Sequence, residues 1–340
     1  MAFPTDQTVS RLGQTNATGD ARALFLKLYA GEVLTAFEEK NIFMPLHRTR
    51  TIQNGKSAQF PLTGVASAKY HTPGQLIQSD AVKHGERTVT VDDLLISSTF
   101  VSNVDEAMNH YDVRSIYTKE MGYALSNVAD KNVARIIAKA ASITDATASA
   151  AQFGDDFDDE TYTANITIGA LTADATDGAK IAKAIYDALE EFDKKDVTGE
   201  KVCVLPPAQY YALFGADQNV NTLAYMNKDV GGSGSLATAT APMIGGVKIF
   251  MSNHLPTTDE SVTSATPEPL TSTRASSYKA DFSAVRGLIF TQDAAATVKL
   301  LDLGVESEYQ IERQGNLMVA KYAMGHNILR PACAIQLNAA

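Results

Sequence analysis

Six histidines, two cysteines and one run of acids are the side chains of this 340-residue chain best suited to bind a metal, move a proton or attack a substrate. The histidines are His47, His71, His84, His110, His254 and His326, and no two fall into a spaced pair such as His-Glu-x-x-His. That spacing puts two imidazoles on one helix face around zinc. Cys203 and Cys333 lack a Cys-x-x-Cys partner; each sits in an apolar run, KVCVL and PACAIQL, and reads as a buried free thiol suited to a reducing compartment. The run Asp155-Asp156-Phe157-Asp158-Asp159-Glu160 lacks the alternation, glycine and closing glutamate of a calcium loop and reads as a solvated loop. Gly55-Lys56-Ser57 ends like a phosphate-binding loop, but Arg50 stands where its first glycine belongs and a strand pattern follows where a helix is needed. His110 and Asp112, two residues apart, point to different sides of a helix. There is no G-x-S-x-G elbow and no G-x-G-x-x-G after a strand. These residues assign no catalytic group, cofactor or metal, and the chain reads as something other than an enzyme.

With no chemistry to position, the elements themselves carry the argument. The chain is 45% hydrophobic and 20% charged, enough to bury substantial cores in two or three domains. A net charge of -10 argues against a surface that grips nucleic acid or an anionic membrane. The N-terminus lacks the order of a signal peptide, and ALFLKLYAGEVLTAF carries Lys27 and Glu32 and is too short to span a bilayer, so a soluble, non-secreted protein is expected.

Residues 1–19 are polar and read as a mobile arm. Asp20 then caps a helix to about Lys40 whose first turns, ALFLKLYA, are apolar on more than one side. Such a helix wants partners on two faces, which makes Phe25, Tyr29 and Phe37 candidates for packing between subunits. From His47 to Thr90 the period becomes two. RTRTIQ, Asn54-Gly55 and KSAQFPL predict a hairpin with a type I′ turn, followed by a Gly/Pro-punctuated run and the return strand ERTVTVDDLLIS. A two-stranded ribbon is marginal in water and needs a surface to lie on. Between His47 and Arg87, six cations (Arg48, Arg50, Lys56, Lys69, Lys83, Arg87) face two anions (Asp80, Glu86); that local +4 leaves -14 on the rest of the chain. The balance suits a ribbon of one copy docking on another, with Arg48, Arg50, Asn54, Gly55 and Lys56 as candidate contacts.

Val104 to Ser142 is the longest helical signal. Val113, Tyr117, Met121, Ala124, Leu125, Val128, Val133, Ile136, Ile137 and Ala140 form one apolar stripe with polar residues opposite. Asp112 to Ala141 would be a rod roughly 45 Å long, with Lys131, Arg135 and Lys139 placed to favour its C-terminal end. Beyond it, Ala151 to Thr176 reads as turn-rich and Asp177 to Lys194 as a second amphipathic helix. KVCVL reads as a strand and Gln209 to Phe214 as a short helix. The stretch 217–235 is a flexible loop, GVKIFMSNHLP a strand and 257–277 an exposed Ser/Thr/Pro-rich insertion. Strands near AVRGLIF, ATVKLLD, NLMVAKYAM and ACAIQL close an α+β chain.

Five segments resemble a known family. AGEVLTAFEE (30–39), NGKSAQFP (54–61), DEAMNHYDVRS (105–115), AKYAMGH (320–326) and LRP (329–331) are similar, in order and spacing, to the major capsid proteins of T7-like short-tailed bacteriophages. The resemblance implies the HK97-like capsid fold. It places an N-terminal arm at 1–46, an extended loop at 47–101, a peripheral domain with a spine helix at 102–150 and 312–340, and an axial domain at 151–311. The spine core would comprise Val113, Tyr117, Met121, Leu125, Val128, Ile136 and Ile137. It also implies hexamers and pentamers of an icosahedral virion head around double-stranded DNA. A scaffolding protein and a portal would be partners, along with a decoration protein or head fibre, and the precursor shell would form in the host bacterial cytoplasm and expand. A cellular nanocompartment shell of the same fold, and an α+β enzyme with dispersed catalytic residues, stay open at this point.

Overall fold

A central strand needs apolar side chains on both faces, and KVCVL supplies them. In the computed structural model, which describes residues 41–63, 68–77, 84–108, 113–143, 165–169, 177–213, 243–261 and 277–339, this run is β6 (Lys201–Leu205), buried from Val202 onward. Strands and helices are numbered along the chain. Strands β5 (Asn165–Gly169), β12 (Ala334–Ala339), β9 (Val285–Thr291), β6, β8 (Val247–Met251) and β7 (Met243–Ile244) lie side by side in that order in a six-stranded mixed sheet. Because neighbouring side chains leave a strand on opposite faces, each strand feeds two cores. Val202, Val204, Leu288 and Phe290 pack with Val133, Ile136 and Ile137 of α2 (Val113–Ala141). Cys203, Leu205, Ile289, Ile335 and Leu337 pack with Ile181, Ile185 and Phe192 of α3 (Gly178–Lys194). Each fully buried large aliphatic or aromatic residue contributes about 1.5–3 kcal/mol of transfer free energy.

Helix α3 starts where its sequence says it should, with the Asp177 carboxylate accepting the Ala179 N–H at 2.9 Å. A short helix, α4 (Pro207–Ala212), follows β6. The type I′ turn occurs between β7 and β8, where Gly245 and Gly246 have φ of +57° and +82°. Asn54-Gly55 is different. Only Gly55 has positive φ, +104°, and the strands around it do not pair with each other. β1 (Arg48–Thr51) runs parallel to β10 (Ala295–Gln310) at Ala296–Lys299. β2 (Ser57–Thr63) pairs antiparallel with β3 (His84–Thr90), from Ser57 opposite Thr90 to Thr63 opposite His84. The expected hairpin is corrected accordingly: the ribbon is β2 with β3. A second correction is β5, a strand inside the stretch read as turn-rich.

The long helical signal yields α1 (Asn103–Met108) and the 29-residue α2. Up to Val128, α2 follows the expected stripe. Met121 and Leu125 are buried and Tyr117 and Val128 half-buried, although Ala124 is exposed. From Ala129 onward the polar face narrows to the half-buried Lys131 and Lys139, and Asp130, Asn132 and Arg135 are buried beside Val133, Ile136 and Ile137. Arg135 does not serve the helix terminus. Its Nε donates to Glu260 Oε2 at 2.7 Å, its Nη2 to Oε1 at 3.2 Å and its Nη1 to Asn132 Oδ1 at 3.0 Å.

Two units divide the described chain. One holds 93–129 and 300–324, where β4 (Leu95–Ser102) pairs antiparallel with β11 (Gly315–Ile328) from Ser102 opposite Gly315 to Leu95 opposite Tyr322. The Thr118 hydroxyl of α2 also reaches Met318 Sδ at 3.6 Å there. The other holds 41–92, 130–299 and 325–340, including the six-stranded sheet. The arm helix with Phe25, Tyr29 and Phe37, the pair His110 and Asp112, the acidic run, the loop at 217–235 and residues 262–276 lie outside the described residues, as does the side chain of Val113.

Candidate assembly interface

The ribbon is anchored at its root and exposed at its tip. At the root, Ala58, Val89 and Val91 are buried. The Val91 N–H donates to the Lys56 carbonyl at 2.8 Å, and Arg87 Nε donates to the Ile328 carbonyl at 3.1 Å. Asn327 Nδ2 donates to the Thr88 carbonyl at 3.2 Å. Burial at that site pulls the Arg87 guanidinium below its usual range. Gly325 lets the ribbon approach β11, since a Cβ there would overlap the Thr90 carbonyl group, 2.8 Å from its carbon. At the tip, Tyr70 is fully exposed, Leu76 is 87% exposed and Ile77 79%.

The candidate basic contacts separate by position. Arg48 forms an ion pair with Asp293 of its own chain. Arg50 Nη1 donates to the Gln59 carbonyl of β2 at 2.9 Å, while Gln59 in turn donates to Glu86 of β3 at 2.8 Å. Asn54, Gly55 and Lys56 form the exposed bend before β2. The outer half of β10 is acidic. Beyond Lys299 no described strand pairs with the edge opposite β11. Leu301, Val305 and Tyr309 are exposed on one face and Asp302, Glu306 and Glu308 on the other; Glu306 pairs with Lys321 at 2.7 Å.

Where the ribbon joins the body, a strap of residues 41–47 is fastened by buried polar groups. Asp130, fully buried in α2, accepts the Ile42 N–H at 3.1 Å, the Met44 N–H at 3.0 Å and a contact from His254 Nδ1 at 2.8 Å. Phe43 stacks on Phe290 at 6.0 Å. His47 Nδ1 lies 2.9 Å from the Phe43 carbonyl, its Nε2 touches the Thr297 hydroxyl, and Thr297 Oγ1 lies 2.7 Å from His326 Nδ1. Burial drives both imidazoles toward the neutral form: His47 falls below its ordinary value, and His326, also repelled by His47 and Lys299, falls to about 3. Tyr278 packs edge-on against His326 at 6.0 Å and its hydroxyl donates to Asp92.

This polar group was missed by reading for motifs. Its signal lay in the apolar patterns: Asp130 stands three and seven residues before Val133 and Ile137, on the buried stripe, and His326 follows Tyr322 and Met324 at strand spacing. Both cysteines are buried free thiols, as expected. Among the described residues no cluster of His, Cys, Asp and Glu could hold a metal ion, and no helix is long and apolar enough to cross a membrane.

The chain is similar to known proteins along most of its length. The model of the Gp10A-like major capsid protein family matches residues 59–338. The major capsid protein of Escherichia phage T7 is 32% identical over 327 residues, covering 94% of this chain and 92% of that protein. That of Enterobacteria phage T3 is 31% identical over 339 residues, covering 95% and 93%. Among solved structures, the capsid of cyanophage P-SCSP1u aligns with a TM-score of 0.75 at 39% identity, covering 98% of this chain and 99% of its own. The mature capsid of bacteriophage PhiM1, at 18% identity and a TM-score of 0.72, shares the fold over the whole chain. With an HK97-like α+β capsid fold and a non-enzymatic, structural role, this chain belongs to the Gp10A-like family of phage major capsid proteins.

Proposed function

We propose that the chain closes into hexamers and pentamers of an icosahedral head around double-stranded DNA, first as a scaffolded precursor shell that expands on packaging. Residues 1–46 act as the arm, 47–101 as the extended loop, 102–150 with 312–340 as the peripheral domain and 151–311 as the axial domain. The observation that carries this reading is the ribbon: basic, held to its own subunit at its root, and apolar and exposed at Tyr70, Leu76 and Ile77. A head-to-tail contact closes into rings when the rotation per subunit fits, and several weak contacts on one subunit sum to firm retention.

The ribbon of one copy docks across the open edge of β10 in another. Asp302, Glu306 and Glu308 face Arg50, Lys56 and Lys69, and Leu301, Val305 and Tyr309 receive Tyr70, Leu76 and Ile77. Arg48, Asn54 and Gly55 shape the ribbon's root, and Phe25, Tyr29 and Phe37 pack the arm between subunits. A scaffolding protein, a portal and a decoration protein or head fibre complete the partners. Packaged DNA is held without sequence-specific contacts, since an acidic wall repels phosphate and lets it slide. Assembly takes place in the host bacterial cytoplasm.

Electron microscopy of the protein expressed with a scaffolding partner tests this. Reversing Arg50, Lys56 and Lys69 to Glu removes shells while circular dichroism stays that of the folded chain, and adding Glu306→Lys with Glu308→Lys restores them in part. Normal shells from the triple reversal would sink the docking. Lost shells without rescue would move the acceptor away from β10.

A further inference from the structure

The chain from Phe43 to His326 can be written proton by proton. The Phe43 carbonyl only accepts, so His47 Nδ1 carries a hydrogen. A neutral His47 then has a bare Nε2, which accepts from the Thr297 hydroxyl. The Thr297 oxygen in turn accepts from His326 Nδ1–H. Every proton has one acceptor and every link runs one way. A second proton on His47 has nowhere to go but Nε2, where it turns the acceptor of the Thr297 hydroxyl into a donor and leaves the buried threonine O–H without its acceptor. A buried donor in that state is expensive. The links join three elements: the strap ending at His47, β10 through Thr297 and β11 through His326.

We propose that His47, Thr297 and His326 form an acid-released catch that fastens the strap 41–47, and with it the root of the ribbon, to the body of the subunit. The charged and titratable groups around it are Asp130 on α2, Lys299 on β10, Arg87 on β3, and Tyr278 with Asp92; of these Asp130 alone favours a protonated His47. The sign follows from burial. Both imidazoles are held below the ordinary value of 6.5, so the catch is intact above 6.5 and weakens as pH falls below it, down to about 3 for His326. The bearing of the catch on shells rests on the ribbon docking proposed above. The catch itself belongs to the single subunit and is measured there.

Hydrogen exchange of the full chain, corrected for intrinsic rates, reads it directly at the amides of Ile42, Met44 and Leu46. Between pH 6.5 and 5 their protection factors should fall about tenfold per pH unit for each histidine that protonates on release. His47→Gln keeps an acceptor at the Nε2 position and His326→Asn keeps a donor at Nδ1, but neither titrates; the double variant should lose that fall. Asp130 and Asp92 remain in both proteins, so any part they contribute is common to the two curves. Thr297→Val, which titrates but breaks the links, should lower protection at pH 7.5 about tenfold. If the double variant does not fold, His47→Gln alone should halve the logarithmic slope. A flat wild-type curve, an unchanged slope in the histidine variants, or full protection in Thr297→Val at pH 7.5 would each overturn the catch. None of these outcomes depends on whether shells form, so failure of the catch and failure of the docking are told apart.

Discussion

The two-stranded ribbon and the six-stranded sheet are made of the same alternating material, and they differ in what covers it. In β6 and β9 both sets of alternate side chains reach helices of the same chain, α2 on one face and α3 on the other. Among the described residues of the ribbon, Ala58, Val89 and Val91, near the root, are buried, while Tyr70, Leu76 and Ile77 further out are exposed. The sheet is covered on both faces within one subunit, while in the docking proposed above the ribbon is covered by another. An apolar loop left this exposed would be a liability in a solitary protein and is an asset in one that assembles.

Substitutions can sharpen or break that contrast. The largest expected effect is Phe290→Ala in the sheet, which deletes a fully buried ring stacked on Phe43. Denaturant unfolding of the unassembled chain should show a loss of about 3–5 kcal/mol. Gly325→Ala acts at the ribbon's root, where the new methyl meets the Thr90 carbonyl. It should cost about 1–3 kcal/mol and raise protease cutting between β2 and β3. Leu76→Ser with Ile77→Ser at the tip should change unfolding by less than about 0.5 kcal/mol, yet lower the yield of shells seen by electron microscopy. Equal destabilisation from the tip pair and Phe290→Ala would erase the distinction between a finished and an unfinished sheet.

Periodicity exposed most of the fold because burial in one subunit writes a pattern into the chain. KVCVL, the stripe Ile181, Ile185 and Phe192, and the closing strands all carry it, and the structure places elements there. Local signals failed where a distant partner won. Asn54-Gly55 favours a hairpin, but Arg48–Thr51 pairs with Ala296–Lys299, almost 250 residues away. Asn165–Gly169 is short and sits among turn formers, so its strand depends on β12 beside it. The second half of α2 showed the converse. Arg135 reads as a charge serving the C-terminal end of the helix and Asp130 is not singled out at all, yet both are buried, satisfied by partners at Ile42, Met44, His254 and Glu260. A helix pattern records which side is apolar, but not whether a polar side is met by protein or by water.

The two thiols noted at the outset bear on how long such a particle lasts. Cys203 lies on the α3 side of the sheet and Cys333 on the α2 side, both buried and neither bonded to the other. Burial drives the Cys203 thiol far above its ordinary range, so it holds almost no thiolate, the form that oxidants and disulfides attack. A cysteine sealed in this way is oxidised no faster than the sheet opens, so the wear of these two thiols is set by the barrier to unfolding and not by the redox state of the medium.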